Sequence, residues 1–131
     1  MADIVVKKGG GTVKTKIEIA GGAQAVTSSA LWTLDSTQPD HFTQDREVKK
    51  ASDPEGALYG VGSDLDIDDR YLEWVWTAAP APGEAATQAT IRITVQQDGK
   101  DVDGYPLSKP FALDTAGPVT FSMTRHIRVA P

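Results

Sequence analysis

The segment 64–69 concentrates four carboxylates in six residues, namely Asp64, Asp66, Asp68 and Asp69. Aspartates spaced two apart on a loop are typical calcium ligands, because this hard cation prefers about six to eight oxygen atoms. An EF-hand is excluded, since Asp69 stands where that loop requires glycine and Val75 where it requires a bidentate glutamate. The segment is therefore a candidate calcium site of another kind.

Two further candidate ligands, Asp101 and Asp103, lie in a second acidic segment, residues 98–104. If this loop and segment 64–69 meet at one end of the fold, the two form a bipartite calcium site. The alternative is purely structural, because Asp-Gly dipeptides favour turns and one stands at each end of the segment. The sequence does not place the two loops together.

The first acidic segment also has an interpretation that needs no ligand. If residues 58–67 form a strand, its apolar side chains share the core face: Tyr59, Val61, Leu65 and Ile67. The aspartates at positions 64, 66 and 68 then face water, and basic side chains could neutralise them without an ion. The basic residues available are Lys14, Lys16 and Arg70.

Two indoles, Trp74 and Trp76, fall on the same face of a predicted strand over residues 71–77. Residues two apart on a strand lie roughly 7 Å from each other, so the pair could stack on the apolar faces of sugar rings. The competing interpretation is core burial, because Leu72 shares the face and a sandwich needs bulky side chains between its sheets. Carbohydrate binding and core packing both remain open.

The elements that must position these residues are strands. Alternation of apolar and polar residues, or bounding turn residues, predicts strands over residues 3–7, 12–20, 26–34, 58–67, 71–77, 90–97 and 119–129. Asp98-Gly99 predicts a two-residue hairpin. Residues 105–113 also alternate, but Pro106 and Pro110 place them on a sheet edge.

No window shows helical spacing of apolar residues, which indicates an all-β fold with little or no helix. We predict one domain over residues 1–131, an antiparallel β-sandwich of about seven to nine strands, immunoglobulin-like or jelly-roll-like. The position of Trp32 resembles that of the buried tryptophan of immunoglobulin-like sandwiches. The spacing of residues 65–71 resembles the tyrosine corner of fibronectin-type modules, although Ile67 and Asp69 depart from it.

Composition excludes several classes of protein. The net charge is −5 with an even scatter of basic residues, which argues against nucleic-acid binding. The absence of cysteine excludes disulfides and thiol chemistry. No apolar run of membrane-spanning length and no signal peptide is apparent, so we expect a protein that is cytoplasmic or exported without a classical leader.

The two histidines offer little for catalysis. His126 falls on the polar face of the last predicted strand, and His41 lies in a predicted polar loop over residues 35–45. Neither accompanies a nucleophile elbow, a phosphate loop or a paired metal-ligand motif. We therefore predict no enzymatic activity and no cofactor other than the calcium considered above, with an enzyme of unfamiliar type as the remotest alternative.

These observations favour a non-catalytic module that is structural or binds another protein. Self-association is one form of this prediction, with the edge segment 105–113 as the pairing surface, because exposed sheet edges pair readily with other strands. The alternative is a ligand-binding module, for calcium through the acidic loops or for carbohydrate through the two indoles.

Overall fold

The computed structural model describes residues 3–35, 37–38 and 41–131. The described chain forms ten strands and one helical turn, which confirms the all-β prediction. The elements are β1 (Ile4–Lys7), β2 (Val13–Ala20), β3 (Ala23–Leu34), β4 (Phe42–Lys49), β5 (Tyr59–Gly62), α1 (Asp64–Ile67), β6 (Tyr71–Pro80), β7 (Gln88–Gln97), β8 (Lys100–Asp101), β9 (Leu107–Ala112) and β10 (Val119–Ala130).

The strands form two sheets that pack as a sandwich. The first sheet has five strands in the order β1-β10-β6-β3-β4, and only the β1–β10 pair among them is parallel. In the second sheet β5, β2 and β7 are neighbours, and both β8 and β9 pair with β7. As predicted, β9 lies on an edge, since β7 is its only strand partner among the described residues.

Alternation along the central strands builds the core between the sheets. In β6 the buried residues are Leu72, Trp74, Trp76 and Ala78, and the residues between them are half-buried. Ile91, Ile93 and Val95 of β7 face them from the other sheet and are nearly inaccessible to water. Each such side chain contributes about 1.5–3 kcal/mol relative to an exposed one. The alternation in the sequence therefore predicts correctly which residues of these strands face the core.

The turn at Asp98-Gly99 confirms the predicted hairpin. Both residues have positive φ angles, 55° and 72°, and Gln97 pairs with Lys100 across the turn. Positive φ at both central positions is the geometry that matches the twist of two-residue hairpins and that favours Asp-Gly.

The strand prediction for residues 58–67 is wrong after Gly62, where the chain turns into α1. Gly62 has a φ of 148°, and a Cβ there would lie 2.8 Å from the Ile67 side chain, so the chain bends where only glycine fits. The helical turn places Asp64 and Ile67 inward and leaves Leu65 81% exposed. The predicted faces of Asp64 and Leu65 are therefore reversed, because residues three apart share a face of a helix.

The predicted polar loop over residues 35–45 is wrong from Phe42 onward, where β4 begins. Most of β4 is exposed, and its pairing with β3 shifts register twice, so the strand has no alternating pattern to reveal it. Ser36, Pro39 and Asp40 of this segment lie outside the described residues. With β4 and the two-residue β8, the strands number ten, more than the seven to nine predicted.

Candidate functional site

The first aspartate of the acidic segment binds backbone rather than water. Asp64 is 7% exposed, and its Oδ2 accepts a hydrogen bond of 2.8 Å from the Gly9 amide in the loop between β1 and β2. In the same loop the Gly11 amide donates to Asp98 Oδ1, also at 2.8 Å. Carboxylates from both acidic segments therefore hold one glycine-rich loop, at residues 9–11, by charge-assisted hydrogen bonds.

Gln97 completes this clamp from the end of β7. Its Oε1 accepts a hydrogen bond from the Lys7 amide at 2.7 Å, and its Nε2 donates to the carbonyls of Lys7 and Gly11. The side chain is 8% exposed, so these bonds satisfy backbone groups that water does not reach. A Cβ on Gly11 would lie 2.6 Å from Asp98 Oδ1, which explains the glycine at that position.

The remaining predicted calcium ligands are dispersed. Asp68 Oδ1 accepts a hydrogen bond from the Val129 amide, Asp101 Oδ1 accepts one from Gln96 Nε2, and Asp66 and Asp103 are exposed. Among the described residues, no group of three or more histidine, cysteine, aspartate or glutamate side chains is arranged to hold a metal ion. The two acidic segments thus approach the same loop without converging their carboxylates.

Asp69 instead joins His126. The residue has a φ of 62°, and its Oδ1 lies 2.6 Å from His126 Nε2, while His126 Nδ1 lies 3.8 Å from an oxygen of Asp3. The imidazole also stacks on Tyr71 with ring centroids 4.7 Å apart. Since the two carboxylates approach opposite nitrogens, the imidazole of β10 links Asp3, which precedes β1, to Asp69, which precedes β6.

The two indoles have different environments although they lie two residues apart. Trp74 is completely buried, and its Nε1 donates to Thr15 Oγ1 at 3.0 Å across the two sheets, while that hydroxyl donates to the Thr94 carbonyl. Saccharide stacking required exposed indole faces, and this face is enclosed by the core. Trp74 thus joins the two layers of the sandwich.

Trp76 is 4% exposed and belongs to an aromatic cluster. It stacks on Phe121 with centroids 5.8 Å apart and contacts the edge of Phe111 at 6.0 Å, while the two phenylalanines lie 5.3 Å from each other. The Trp76 Nε1 is buried and has no hydrogen-bond acceptor among the described residues. An unpaired buried donor is uncommon and costs about 1–3 kcal/mol.

This aromatic cluster forms the floor of a groove of about 530 Å³ between β9 of one sheet and β10 of the other. The remaining lining residues are Ile91, Lys109, Pro110, Ser122, Met123, Thr124 and Arg125. The described lining includes no carboxylate, although the chain as a whole is acidic. The groove is thus apolar at its base with two cations along its rim.

One wall of the groove is a stretch of β10 that pairs with a strand on one side only. Strand β1 covers β10 only from Ile127 to Ala130, and within the described chain residues 120–124 pair with β6 alone. The Ile127 amide and carbonyl bond to the β6 side, through Arg70 and Asp69. Because backbone groups alternate along a strand, those of Thr120, Ser122 and Thr124 point away from β6, toward the open edge.

The side chains of this stretch alternate as the sequence predicts. Met123 is buried and Phe121 is half-buried toward the groove, whereas Thr120 and Ser122 are exposed on the outer face. The stretch from Thr120 to Thr124 carries no charged residue. An uncharged, alternating strand with a free edge is a surface suited to pairing with another strand.

Tyr105, whose ring lies 6.3 Å from that of Trp74, is a titratable group that burial affects. Burial raises the pKa of the Tyr105 phenol above its ordinary value of about 10, and the positive charge of Arg125 opposes part of that shift. Arg125 Nη1 also donates to the Thr124 carbonyl at 3.0 Å. The guanidinium therefore bounds the uncharged stretch at one end.

At the opposite side of the same sheet, polar contacts cover the part of β3 that β4 does not reach. Lys49 is 2% exposed, and its Nζ donates to the Thr27 carbonyl at 2.8 Å, the Lys50 carbonyl at 3.1 Å and Glu55 Oε1 at 3.1 Å. Glu55 also accepts hydrogen bonds from the Thr27 amide and hydroxyl. A side chain thus takes the place of a neighbouring strand where β4 no longer pairs with β3.

Sequence reasoning assigned Phe121 and Met123 correctly to an inward face but did not find the groove. The walls of the groove are β9 and β10. The distance between these strands depends on the strand order in the two sheets, which the alternation of apolar and polar residues does not specify. A usable signal was the charge-free run of residues 120–124, since the edge strands β4 and β9 contain charged residues or proline.

Comparison with known proteins identifies no relative. No family model matches the chain, and no curated protein or solved structure matches it significantly. No helix in the described part of the chain combines the length and apolar character needed to cross a membrane.

Proposed function

We propose that the chain is a non-catalytic interaction module that binds an extended, uncharged polypeptide segment along residues 120–124 of β10. The observation that carries the proposal is the unpaired outer edge of this stretch beside an aromatic floor. A strand added there would satisfy the outward backbone groups of β10 and extend the five-stranded sheet.

The groove supports specificity as well as affinity. Alternate side chains of an added strand would point inward, over Trp76, Phe111 and Phe121, and the others would point to water. Apolar residues at every second position of the partner segment therefore fit this surface best. The proposal holds for either the immunoglobulin-like or the jelly-roll-like sandwich that the sequence predicts.

The edge predicted from sequence, β9, is less suited to pairing. Its Pro110 lacks an amide donor and Lys109 adds a charge, and both features discourage strand addition. The stretch 120–124 of β10 has neither. We therefore place the interaction on β10, with β9 as the second wall of the groove.

A displayed library of random octapeptides, selected on the wild-type chain at low protein concentration, tests this proposal. We expect enriched peptides to alternate apolar and polar residues and to slow amide hydrogen exchange at Thr120, Ser122 and Thr124. Ser122→Pro should weaken their binding by at least tenfold, since proline removes an outward donor without removing a bond to β6. Ser122→Ala is the matched control and should bind as the wild type does.

Equal binding to the proline and alanine variants would contradict the proposal, as would protection confined to another strand. Urea denaturation of both variants establishes that each is folded before binding is compared.

A further inference from the structure

We infer that the strand which occupies this edge is the same segment of a second copy of the chain, running antiparallel with Ser122 on a two-fold axis. This inference rests on the proposed function and names its partner. Closed two-fold pairing is the commonest symmetry of protein assemblies, and it requires a surface that is complementary to itself.

The sequence of residues 120–124 has this property. With Ser122 facing its own copy, Thr120 lies opposite Thr124 of the second copy, and Phe121 lies opposite Met123. Threonine pairs across strands form hydrogen bonds, and methionine sulfur makes favourable contacts with aromatic rings. Polar residues thus meet polar ones on the outer face, and apolar residues meet apolar ones on the inner face.

The backbone directions agree with the same register. The outward amides and carbonyls belong to Thr120, Ser122 and Thr124, as the direction of the Ile127 bonds requires. In an antiparallel pair centred on Ser122, each of these residues faces another whose backbone groups also point outward. Every pair of this kind exchanges two hydrogen bonds, so the register gives each outward group of the stretch a partner, including the Thr124 carbonyl, to which Arg125 Nη1 already donates.

Charge distinguishes this edge from β4 at the other side of the same sheet. Residues 120–124 carry no charge, and the first charged residue beyond them, Arg125, falls opposite Val119 of the second copy. Strand β4 instead presents Asp45, Arg46 and Glu47 along an exposed edge. Two acidic chains can therefore approach along β10 without bringing like charges directly opposite each other.

Packing favours the second copy over a shorter peptide. Pairing through β10 brings Phe121 and Met123 of the second copy beside the groove floor of Trp76 and Phe111. The two grooves then become continuous across the axis, so that both aromatic clusters lose exposure together. The result is one sheet that extends through both copies.

Single cysteines test this arrangement, because the chain contains no native cysteine. Directly opposed residues in a hydrogen-bonded antiparallel pair have Cα atoms about 5.5 Å apart, within the range that a disulfide spans. Ser122→Cys should therefore form a disulfide-linked dimer under mild oxidation at least tenfold faster than Thr43→Cys. Thr43 is an exposed residue on β4 and serves as the matched control.

The register is tested by a mixture. Thr120→Cys and Thr124→Cys should each cross-link slowly alone, since each residue lies roughly 13 Å from its own copy across the axis. Mixed together they should cross-link rapidly, because residue 120 faces residue 124. Equal rates for the separate and mixed variants would overturn the register and with it the inference.

Analytical ultracentrifugation provides an independent readout without oxidation. The wild type should show a concentration-dependent dimer, and Ser122→Lys should shift it to monomer by placing two like charges on the axis. A wild type that stays monomeric to about 1 mM, with Ser122→Cys no faster than Thr43→Cys, would overturn the second copy as occupant. Selected peptides that still require residue 122 would then leave the proposed function standing, and their absence would contradict both.

Discussion

The two edges of the five-stranded sheet differ in how their outward backbone groups are treated. At β4 the edge bears charges and is tied down by Lys49 and Glu55, whose polar atoms satisfy the backbone of Thr27. At β10 the stretch 120–124 is uncharged and its outward groups have no strand partner in the described chain. The sandwich thus covers the part of β3 that β4 does not reach with its own side chains, and leaves residues 120–124 of β10 available for pairing.

This difference shows that the polarity of a strand and its availability for pairing with another strand are separate properties. Strand β4 is more polar and more exposed than β10, yet the buried contacts of Lys49 and Glu55 anchor its end. The uncharged part of β10 has the better alternating pattern, and of its outward backbone groups the Thr124 carbonyl accepts a hydrogen bond from Arg125 Nη1. An edge becomes a binding surface through unsatisfied backbone groups beside apolar side chains rather than through exposure alone.

Removing the Glu55 carboxylate should have the largest effect on the free energy of unfolding. Glu55→Ala removes the only carboxylate that contacts the buried Lys49 ammonium among the described residues and also unpairs the Thr27 amide. We expect the free energy of unfolding to fall by about 2–3 kcal/mol, below the cost for a fully buried pair because Glu55 is partly exposed. Urea denaturation followed by fluorescence measures this change.

A second substitution isolates the cause of that loss. In the Glu55→Ala background, Lys49→Met removes the uncompensated charge and should recover at least half of the lost stability. If the double variant is less stable than Glu55→Ala alone, the ammonium is not the source of the destabilisation. Neither variant should alter the cross-linking of Ser122→Cys, because the opposite edge is untouched.

The two indoles of β6 sharpen the contrast between a satisfied interior and an open side. Trp74→Phe removes the hydrogen bond to Thr15, whereas Trp76→Phe removes a buried donor that has no partner. Both lose similar volume, so we expect Trp74→Phe to cost about 1–2 kcal/mol more in the free energy of unfolding. Equal losses in chemical denaturation would show that the inter-sheet hydrogen bond contributes nothing net.

A smaller effect on stability is expected in the acidic segment, where a carboxylate that accepts a backbone hydrogen bond can be compared with an exposed one. Asp64→Ala frees the Gly9 amide and should lower the free energy of unfolding by about 1 kcal/mol. Asp66 is exposed, so Asp66→Ala should change it by less than about 0.5 kcal/mol. Thermal melts with and without millimolar calcium test the metal prediction in the same samples, since an ion bound only to the folded chain raises the melting temperature.

The smallest effect on stability is expected from the ionisation of Tyr105 at alkaline pH. The folded-state pKa of Tyr105 is raised, so the stabilisation from its neutral phenol is fully present below pH about 10 and is lost as pH rises through the folded pKa. Tyr105→Phe should flatten the decline in urea midpoint between pH 9 and 11, taken as roughly the range around the ordinary pKa. If the urea midpoint of Tyr105→Phe declines as steeply as that of the wild type, groups other than Tyr105 cause the decline.

Much of the fold follows from period and turn chemistry. Alternation located the central strands, Asp98-Gly99 located a hairpin, and Pro106 and Pro110 located an edge. Alternation failed over residues 64–67, because spacing of two places Asp64 outward whereas the helical turn places it inward. It also missed β4, whose residues are exposed on both faces and therefore carry no period.

The candidate site was less accessible to prediction. The inward direction of Phe121 and Met123 could be read from the strand pattern, but the groove depends on which strands lie beside β10 and how far β1 extends along it. The hydrogen-bond partners of the carboxylates could not be predicted from the sequence either. The Gly9 and Gly11 amides lie far from Asp64 and Asp98 along the chain. Long-range pairing, rather than local propensity, determines both features.

The parallel pairing of β1 with β10 has a consequence for the order of folding. Ile4 aligns with Ile127, so β1 completes its sheet only by pairing with a strand more than a hundred residues away in sequence. Until then its apolar side chains and the adjacent glycine loop lack their final neighbours. Closing so long a stretch of chain is slow, as is typical of sandwiches dominated by distant contacts. Until β1 docks, the whole length of β10 is therefore an open edge, and β1 then covers only its final part.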